Sequence, residues 1–250
     1  MVSVEPSGVE MIYLALGRRQ LGKTTLVYSM ARKCPARIIL DPRALIHSDG
    51  LRVSNARDLS AAVDAIIDER NSLQEVLITP DSNVQSMFNQ ASQHVKDWAI
   101  DFQHAPRATR RMMFVIDEAR FFDLRESAAF EYVLRAAPPD LVNVAITAHR
   151  PADIPTDIRA ISDHWLMFRC TQEHDLKVIG ERCTDAVRNH VEKLNPHEFI
   201  DWDDATATAK AYRNPAAWYI PLRSPNAPDR LDLDILPPTD KDTLDTSRLF

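Results

Sequence analysis

The sequence predicts an α/β fold, with a mostly parallel sheet and helices on both of its faces. Two observations point to this class. Short apolar runs alternate along the chain with longer segments whose apolar residues recur at helical spacing. Two of the five glycines fall in one short stretch, residues 17–22, directly after the first apolar run. Because strands separated by helices are joined by right-handed crossovers, we expect the strands to run parallel.

The predicted strands are the apolar runs, and the predicted helices lie between them. We expect strands at residues 11–16, 36–42, 75–80, 111–119, 141–151 and 164–170. We expect helices at residues 24–33, 60–70, 84–102, 126–137, 172–179 and 184–194. Together these elements predict a single domain over residues 1–223. Residues 224–250 are rich in Pro and Asp and lack periodicity, so we expect an extended tail there.

Composition places the chain among soluble globular proteins. Of its 250 residues, 45% are hydrophobic and 26% are charged, and the formal net charge is −6. The acidic balance argues against a monomer that coats nucleic acid with a basic face. No apolar run approaches the ~20 residues of a membrane helix, and the first residues do not resemble a secretion signal. The three cysteines are far apart and form no CxxC pair, as in reduced intracellular proteins, so we expect a cytoplasmic location.

The stretch GRRQLGKTT at residues 17–25 has the spacing of a phosphate-binding P-loop. Glycines at its ends let the backbone turn so that N–H groups point at phosphate, and the following helix adds its positive end. Lys23 would reach the β- and γ-phosphates of ATP, and the Thr24 hydroxyl would bind Mg²⁺. We expect the side chains of Arg18 and Arg19 to point away. The predicted nucleotide-binding residues are Gly17, Arg18, Arg19, Gln20, Leu21, Gly22, Lys23, Thr24 and Thr25.

Two acidic residues, Asp117 and Glu118, follow the apolar run MMFVI. This places both carboxylates at the carboxyl end of a buried strand, where α/β sheets bind ligands. Asp117 would hold Mg²⁺ through Thr24 or water, and Glu118 would polarise the attacking water. A kinase needs no water-activating glutamate, so the pair favours hydrolysis over phosphotransfer to a small molecule.

A third polar strand end lies in AITAHRPADIP, residues 145–155. Thr147 and His149 fall where P-loop ATPases keep a residue that senses the γ-phosphate. The same pattern is also typical of a plain strand end that runs into a proline-rich turn. The residues alone leave both interpretations open.

With these three elements placed, the chain resembles the FtsK–HerA superfamily of DNA-translocating ATPases. The resemblance lies in a Walker A loop, then LDPR at residues 40–43, then DE at residues 117–118, in this order. The segments TAHRP and DIP follow, and then the segments IRAISDHWLMFR and EHDLKVI. The match extends from Met11 to Ile179. One departure is His149, which stands where the family usually has glutamine.

The resemblance implies a ring, usually a hexamer, with nucleotide between subunits, DNA in the channel and an arginine acting in trans. Arg135, in LRAA before the sensor strand, and Arg150, in the RP dipeptide, are the first candidates, followed by Arg159 and Arg169. Each could equally form a structural salt bridge. DNA contacts could come from arginines on either side of the DE strand, which could also belong to solvated loops: Arg107, Arg110, Arg111, Arg120 and Arg125.

Within that superfamily, a short chain that is nearly all motor resembles the genome-packaging ATPases of tailless, double-jelly-roll DNA viruses. We therefore predict an ATP- and Mg²⁺-dependent translocase of double-stranded DNA that acts as a pentameric or hexameric ring. Such a protein would work in the host cytoplasm or at the virion vertex, and a capsid or portal protein is a candidate partner for the tail. The alternatives are an assembly or secretion ATPase that moves protein and a nucleotide switch or kinase that works without a ring.

Overall fold

The computed structural model describes residues 12–67, 75–104, 111–138, 141–213 and 243–244. The strands are β1 (Ile12–Leu16), β2 (Ala36–Leu40), β3 (Leu51–Val53), β4 (Glu75–Ile78), β5 (Met112–Ile116), β6 (Val142–Ala148), β7 (His164–Phe168), β8 (Glu198–Asp203), β9 (Thr208–Arg213) and β10 (Thr243–Leu244). The helices are α1 (Lys23–Ala31), α2 (Ala56–Ile67), α3 (Val84–Asp101), α4 (Ala128–Arg135), α5 (Thr156–Ala160), α6 (Glu173–Arg182) and α7 (Asp185–Lys193).

All the described strands belong to one sheet, in the order β10-β9-β8-β7-β1-β6-β5-β2-β4-β3. Neighbours from β7 to β3 pair in parallel, whereas β7–β8, β8–β9 and β9–β10 pair antiparallel. The predicted α/β class with a mostly parallel sheet is therefore confirmed. The antiparallel extension was not predicted, because β9 is largely exposed and lacks an apolar run.

Helices cover both faces of the sheet, as predicted. Successive side chains of a strand point to opposite faces, and the buried residues accordingly form two clusters. On one face, alternate strand residues pack with residues of α3 and α4, including Ile38, Phe114, Phe88 and Phe130. On the other face they pack with residues of α1, including Ile39, Val115, Leu26 and Val27.

Several predicted boundaries were wrong in ways that matter for the site. The strand predicted to run to Ala119 ends at Ile116, and the one predicted to run to Pro151 ends at Ala148. Short 3₁₀ helices, Ala119–Phe121 and Pro151–Asp153, follow these two strands closely. The acidic pair and His149 therefore lie in loops beyond the strands, where their backbones are free to adopt non-strand conformations.

Other differences reflect weak local signals. The short elements β3 and α5 were missed because three and five residues are too few to establish a period. Helix α4 begins two residues later than predicted, after Ser127, whose side chain accepts a hydrogen bond from Phe130 N at 3.2 Å.

The predicted tail lies outside the described residues, except for the two residues of β10. Within the described ranges, no helix has the length and apolarity needed to cross a bilayer. The three cysteines are unpaired, as expected, and Cys34 and Cys170 are buried.

The strand order brings distant sequence segments together at one edge of the sheet. Strands β1, β6, β5 and β2 are consecutive neighbours, so the loops at their carboxyl ends lie side by side. The register pairs Leu16 with Ala148, and Ile116 with both Ile146 and Leu40. This edge carries the loop of residues 17–22, the acidic pair, His149 and the LDPR segment.

Candidate active site

The loop between β1 and α1 requires glycine at both glycine positions of the motif. Gly17 has φ 141°, its N–H donates to Ala148 O at 3.3 Å, and a Cβ placed on it would lie 2.7 Å from the Cβ of Phe168. Gly22 has φ 98° and precedes the first turn of α1. Because L side chains are strained in this region of φ, the backbone forms this tight loop only with glycine at these two positions.

Lys23 turns back onto the loop that precedes it. Its Nζ donates to the carbonyl oxygens of Gly17 at 2.7 Å and Arg18 at 2.8 Å, and the residue is only 6% exposed. Burial lowers the pKa of Lys23, and the nearby carboxylates of Glu118 and Asp117 oppose this shift. Since charged phosphate oxygens are stronger acceptors than carbonyls, the same ammonium donors are suited to a phosphate at this loop.

Thr24 and Asp117, the two residues predicted to bind Mg²⁺, contact each other. Thr24 Oγ1 donates to Asp117 Oδ1 at 2.9 Å, and Thr147 Oγ1 donates to the same oxygen at 2.7 Å. Asp117 is fully buried, and this burial raises its pKa from 3.8 to about 6. Its other oxygen, Oδ2, is buried and has no hydrogen-bond partner among the described residues. A buried carboxylate oxygen beside a hydroxyl fits the oxygen ligands that Mg²⁺ takes from proteins when phosphates and water complete its shell.

Glu118 follows directly and has an unusual backbone. Its φ of 57° is left-handed, and its N–H donates to Thr147 Oγ1 at 2.9 Å. Thr147 therefore connects the two acids, donating to one and accepting from the other. The carboxylate lies 3.2 Å from Arg43 Nη1, 3.4 Å from Arg120 Nε and 2.9 Å from His149 Nε2. Three cationic or ionisable side chains thus surround a carboxylate that is almost buried.

The predicted sensor residue His149 lies beside Glu118. Burial lowers its pKa, the carboxylate of Glu118 opposes that shift, and Lys23 and other cations add to it. Arg19 was expected to point away, but its Nε donates to His149 Nε2 at 3.3 Å. The P-loop and the sensor are therefore joined by a side-chain contact that sequence reasoning missed.

The candidate trans-acting arginines contact other residues. Arg150 Nε lies 3.2 and 3.3 Å from the two oxygens of Asp175, a buried acid on α6. Arg135 is 46% exposed and lies 3.5 Å from Glu131 and 3.9 Å from Asp157. Contacts among the described residues thus bring neither arginine to Glu118, and a role in trans stays a prediction for both.

The remaining arginines are dispersed. Arg159 Nη2 donates to Thr156 Oγ1 at 2.9 Å, and Arg169 is exposed directly after β7. Of the candidate DNA contacts, Arg107 and Arg110 lie outside the described residues. Arg111 precedes β5 and so lies at the sheet edge opposite the site. Arg125 pairs with Asp157 at 2.7 Å, and Arg120 faces Glu118.

Sequence reasoning also missed Arg43. Its Nη1 donates to Glu118 Oε1 at 3.2 Å, across 75 residues of sequence. The only available signal was the segment LDPR, which ends at this residue. That segment carried the family resemblance without suggesting a role for the arginine.

The sheet order and the loop-and-acid arrangement together define the fold of P-loop NTPases. No protein-family model matches the sequence, and no curated protein matches it either. Solved structures do match. The genome packaging NTPase B204 from Sulfolobus turreted icosahedral virus 2, in complex with ATP-γS, gives a TM-score of 0.62 at 19% identity, covering 81% of this chain and 96% of its own.

Two further structures share the fold. The DNA-packaging ATPase B204 from Sulfolobus turreted icosahedral virus gives a TM-score of 0.62 at 18% identity over 82% of this chain and 98% of its own. The bacterial conjugative coupling protein TrwB gives a TM-score of 0.51 at 9% identity, covering 79% of this chain and 86% of its own. At these identities the likeness establishes the fold, in agreement with the predicted class.

Proposed function

We propose that this chain hydrolyses ATP with Mg²⁺ and uses the energy to translocate double-stranded DNA, as the packaging motor of a viral genome. One observation carries the hydrolytic part. Thr147 connects Asp117, which contacts the metal-binding hydroxyl of Thr24, to Glu118, the buried carboxylate next in the chain. A metal ligand and a general base held in one network are what water attack on a phosphate requires.

Each residue has a defined task in this proposal. The amides of residues 17–22 and the ammonium of Lys23 bind the phosphates and offset their charge. Thr24 and Asp117 would hold Mg²⁺, which would neutralise phosphate charge. Glu118 orients a water molecule and takes its proton, and His149 forms a hydrogen bond with the γ-phosphate or with that water. Burial of Asp117 and Glu118 strengthens these electrostatic interactions because little water screens them.

The DNA-translocating part is supported by the fold. Solved structures with this fold include proteins described as genome packaging and DNA-packaging NTPases and a conjugative coupling protein. The segments LDPR and TAHRP, which resemble those of the FtsK–HerA superfamily, also support a ring-shaped motor that acts on DNA. In such a ring Arg135 or Arg150 would stabilise charge on the transferred phosphoryl group of the neighbouring subunit.

The test is the ATPase rate of the full chain, with and without double-stranded DNA, across a salt series. We expect DNA to stimulate hydrolysis and the stimulation to fall with salt, since phosphate contacts release counterions. Lys23→Ala should abolish activity and Glu118→Gln should reduce it to a small residual rate, whereas Lys33→Ala and Glu192→Gln, at exposed positions, should leave it unchanged. A wild-type rate indifferent to DNA would contradict translocation on DNA and favour a protein-moving ATPase.

Oligomeric state tests the ring. Native mass spectrometry with a non-hydrolysable ATP analogue should show a pentamer or hexamer. A strictly monomeric species that nonetheless hydrolyses ATP would exclude an arginine acting in trans and favour a switch or kinase.

A further inference from the structure

Glu118 is held between two loops that approach it from opposite sides. In the sheet, β5 lies between β6 and β2, so the loops after those two strands flank the loop that carries Glu118. His149 follows β6, and its Nε2 lies 2.9 Å from Glu118 Oε2. Arg43 follows β2, and its Nη1 lies 3.2 Å from Glu118 Oε1. The β6 side is also the side of β1 and the loop of residues 17–22, so Arg43 approaches Glu118 from the side away from that loop.

The two carboxylate oxygens differ in their hydrogen bonding. Oε1 accepts a hydrogen bond from Arg43, whereas Oε2 is buried and has no hydrogen-bond partner among the described residues. His149 Nε2 and Arg120 Nε lie 2.9 and 3.4 Å from Oε2, but neither donates a directed hydrogen bond to it. Oε2 is therefore the oxygen of this carboxylate that has an acceptor position open to a water.

The backbone of the Arg43 loop is rigidly anchored. Asp41 is fully buried, and its two carboxylate oxygens accept hydrogen bonds from Leu45 N at 3.0 Å and Ile46 N at 2.9 Å. The N–H of Ala44 donates to Asp41 O at 3.1 Å, and Ala44 has φ 52°. This tight turn fixes the backbone of Arg43 beside Glu118, and the exposed guanidinium is held by its contact with Glu118 Oε1.

Glu118 needs such a support because its backbone alone does not orient its carboxylate. The N–H is fixed by Thr147, but three side-chain torsions separate the Cα from the carboxylate oxygens. The contact between Arg43 and Oε1 restricts the rotation of the Glu118 side chain about these torsions. Losing torsional freedom before the reaction is how a positioned group contributes to rate.

We propose that Arg43 is a positioning residue for Glu118: it holds Oε1 so that Oε2 faces the nucleotide side. The inference rests on the proposed hydrolysis. There, a water proton passes to Oε2 while the water oxygen bonds to the γ-phosphorus, and the bond to the bridging oxygen breaks to release ADP. In this proposal Arg43 acts only through Glu118, the residue that its guanidinium contacts. It also gives the last residue of LDPR a role, with Asp41 anchoring the turn that presents it.

The experiment compares steady-state ATP hydrolysis by wild type, Arg43→Ala and Arg43→Lys, with Arg57→Ala as an exposed arginine control. We expect Arg43→Ala to lower kcat roughly tenfold to a hundredfold, as misplacement of a catalytic group does. The KM for ATP and the affinity for an ATP analogue should stay within about twofold, because no nucleotide contact is lost. Arg43→Lys should recover part of kcat, since it keeps the charge but not the fork of donors.

A double variant separates positioning from a general structural effect. In the Glu118→Gln background, Arg43→Ala should cause no further loss, because the group it supports is already inactive. An unchanged or increased rate in Arg43→Ala, or an equal further loss in the double variant, would overturn the inference. If Glu118→Gln itself hydrolyses ATP normally, the proposed function fails instead, so the two failures are distinguishable.

Discussion

Replacing Asp117 by asparagine should stabilise the nucleotide-free protein while removing its response to Mg²⁺. Asp117 is fully buried, its pKa is raised by that burial to about 6, and its Oδ2 has no hydrogen-bond partner among the described residues. A carboxyl whose folded pKa lies above its unfolded value of 3.8 binds more protons when folded. The folded state is therefore destabilised progressively as pH rises through the window from about 4 to 6.

The magnitude follows from the size of the shift. About two pKa units at 1.36 kcal/mol each correspond to ~3 kcal/mol of charge burial above pH 6. At pH 4.5 the unfolded carboxyl is only partly ionised, and the same relation leaves ~1 kcal/mol. The asparagine side chain of the variant is neutral at every pH. The free energy of unfolding of Asp117→Asn should therefore exceed that of wild type by up to ~3 kcal/mol at pH 7.5 and by ~1 kcal/mol at pH 4.5. Any cost of burying the unpaired amide is subtracted from both differences.

The assay is urea unfolding at pH 7.5, 6.5, 5.5 and 4.5 in EDTA. Asp101→Asn, at an exposed position, is the matched control for loss of one negative charge. Repeating the scan with Mg²⁺ and ATP-γS should stabilise wild type but not Asp117→Asn, since ligand binding adds to folding stability only where it occurs. A stability difference between Asp117→Asn and wild type that does not grow as pH rises from 4.5 to 7.5 would refute the reasoning about buried charge, because the cost of the amide is independent of pH.

Three further outcomes are expected. Thr147→Val removes the hydroxyl that donates to Asp117 and accepts from the N–H of Glu118, so the free energy of unfolding in urea should fall by ~1–3 kcal/mol and kcat should fall too. Thr147→Ser keeps the hydroxyl and should retain the stability and the kcat of wild type. Equal losses in the two variants would contradict the role of the hydroxyl. Gly17→Ala would place a Cβ 2.7 Å from a neighbouring side-chain carbon at φ 141°, so its melting temperature should fall clearly below that of wild type. Burial lowers the pKa of His149 in the folded protein, so the imidazole binds a proton more readily in the unfolded state. The free energy of unfolding of wild type should therefore fall relative to that of His149→Gln as pH falls below 6.5. A difference between the two proteins that is independent of pH would contradict the lowered pKa.

The parts of the candidate site that the sequence predicts depend on residues close together along the chain. The spacing of Gly17, Gly22, Lys23 and Thr24 and the adjacency of the acidic pair are local patterns with a direct chemical meaning. The alternation of apolar runs with helical segments predicted the α/β class for the same reason. Antiparallel strands β8 and β9 were missed because three of the six residues of β8 are acidic and only one residue of β9 is buried, so neither contains an apolar run.

By itself, the sequence determined the tight glycine loop with the spacing of a phosphate site, the two acids after a buried strand and the mostly parallel α/β class. Only the tertiary structure decided that β6 lies between β1 and β5, which sets Thr147 against both acids, and that β2 lies on the other side, which sets Arg43 on Glu118. These contacts join residues 29 and 75 positions apart. No periodicity or spacing encodes them, because the order of strands in a sheet is settled by packing between segments distant in the chain.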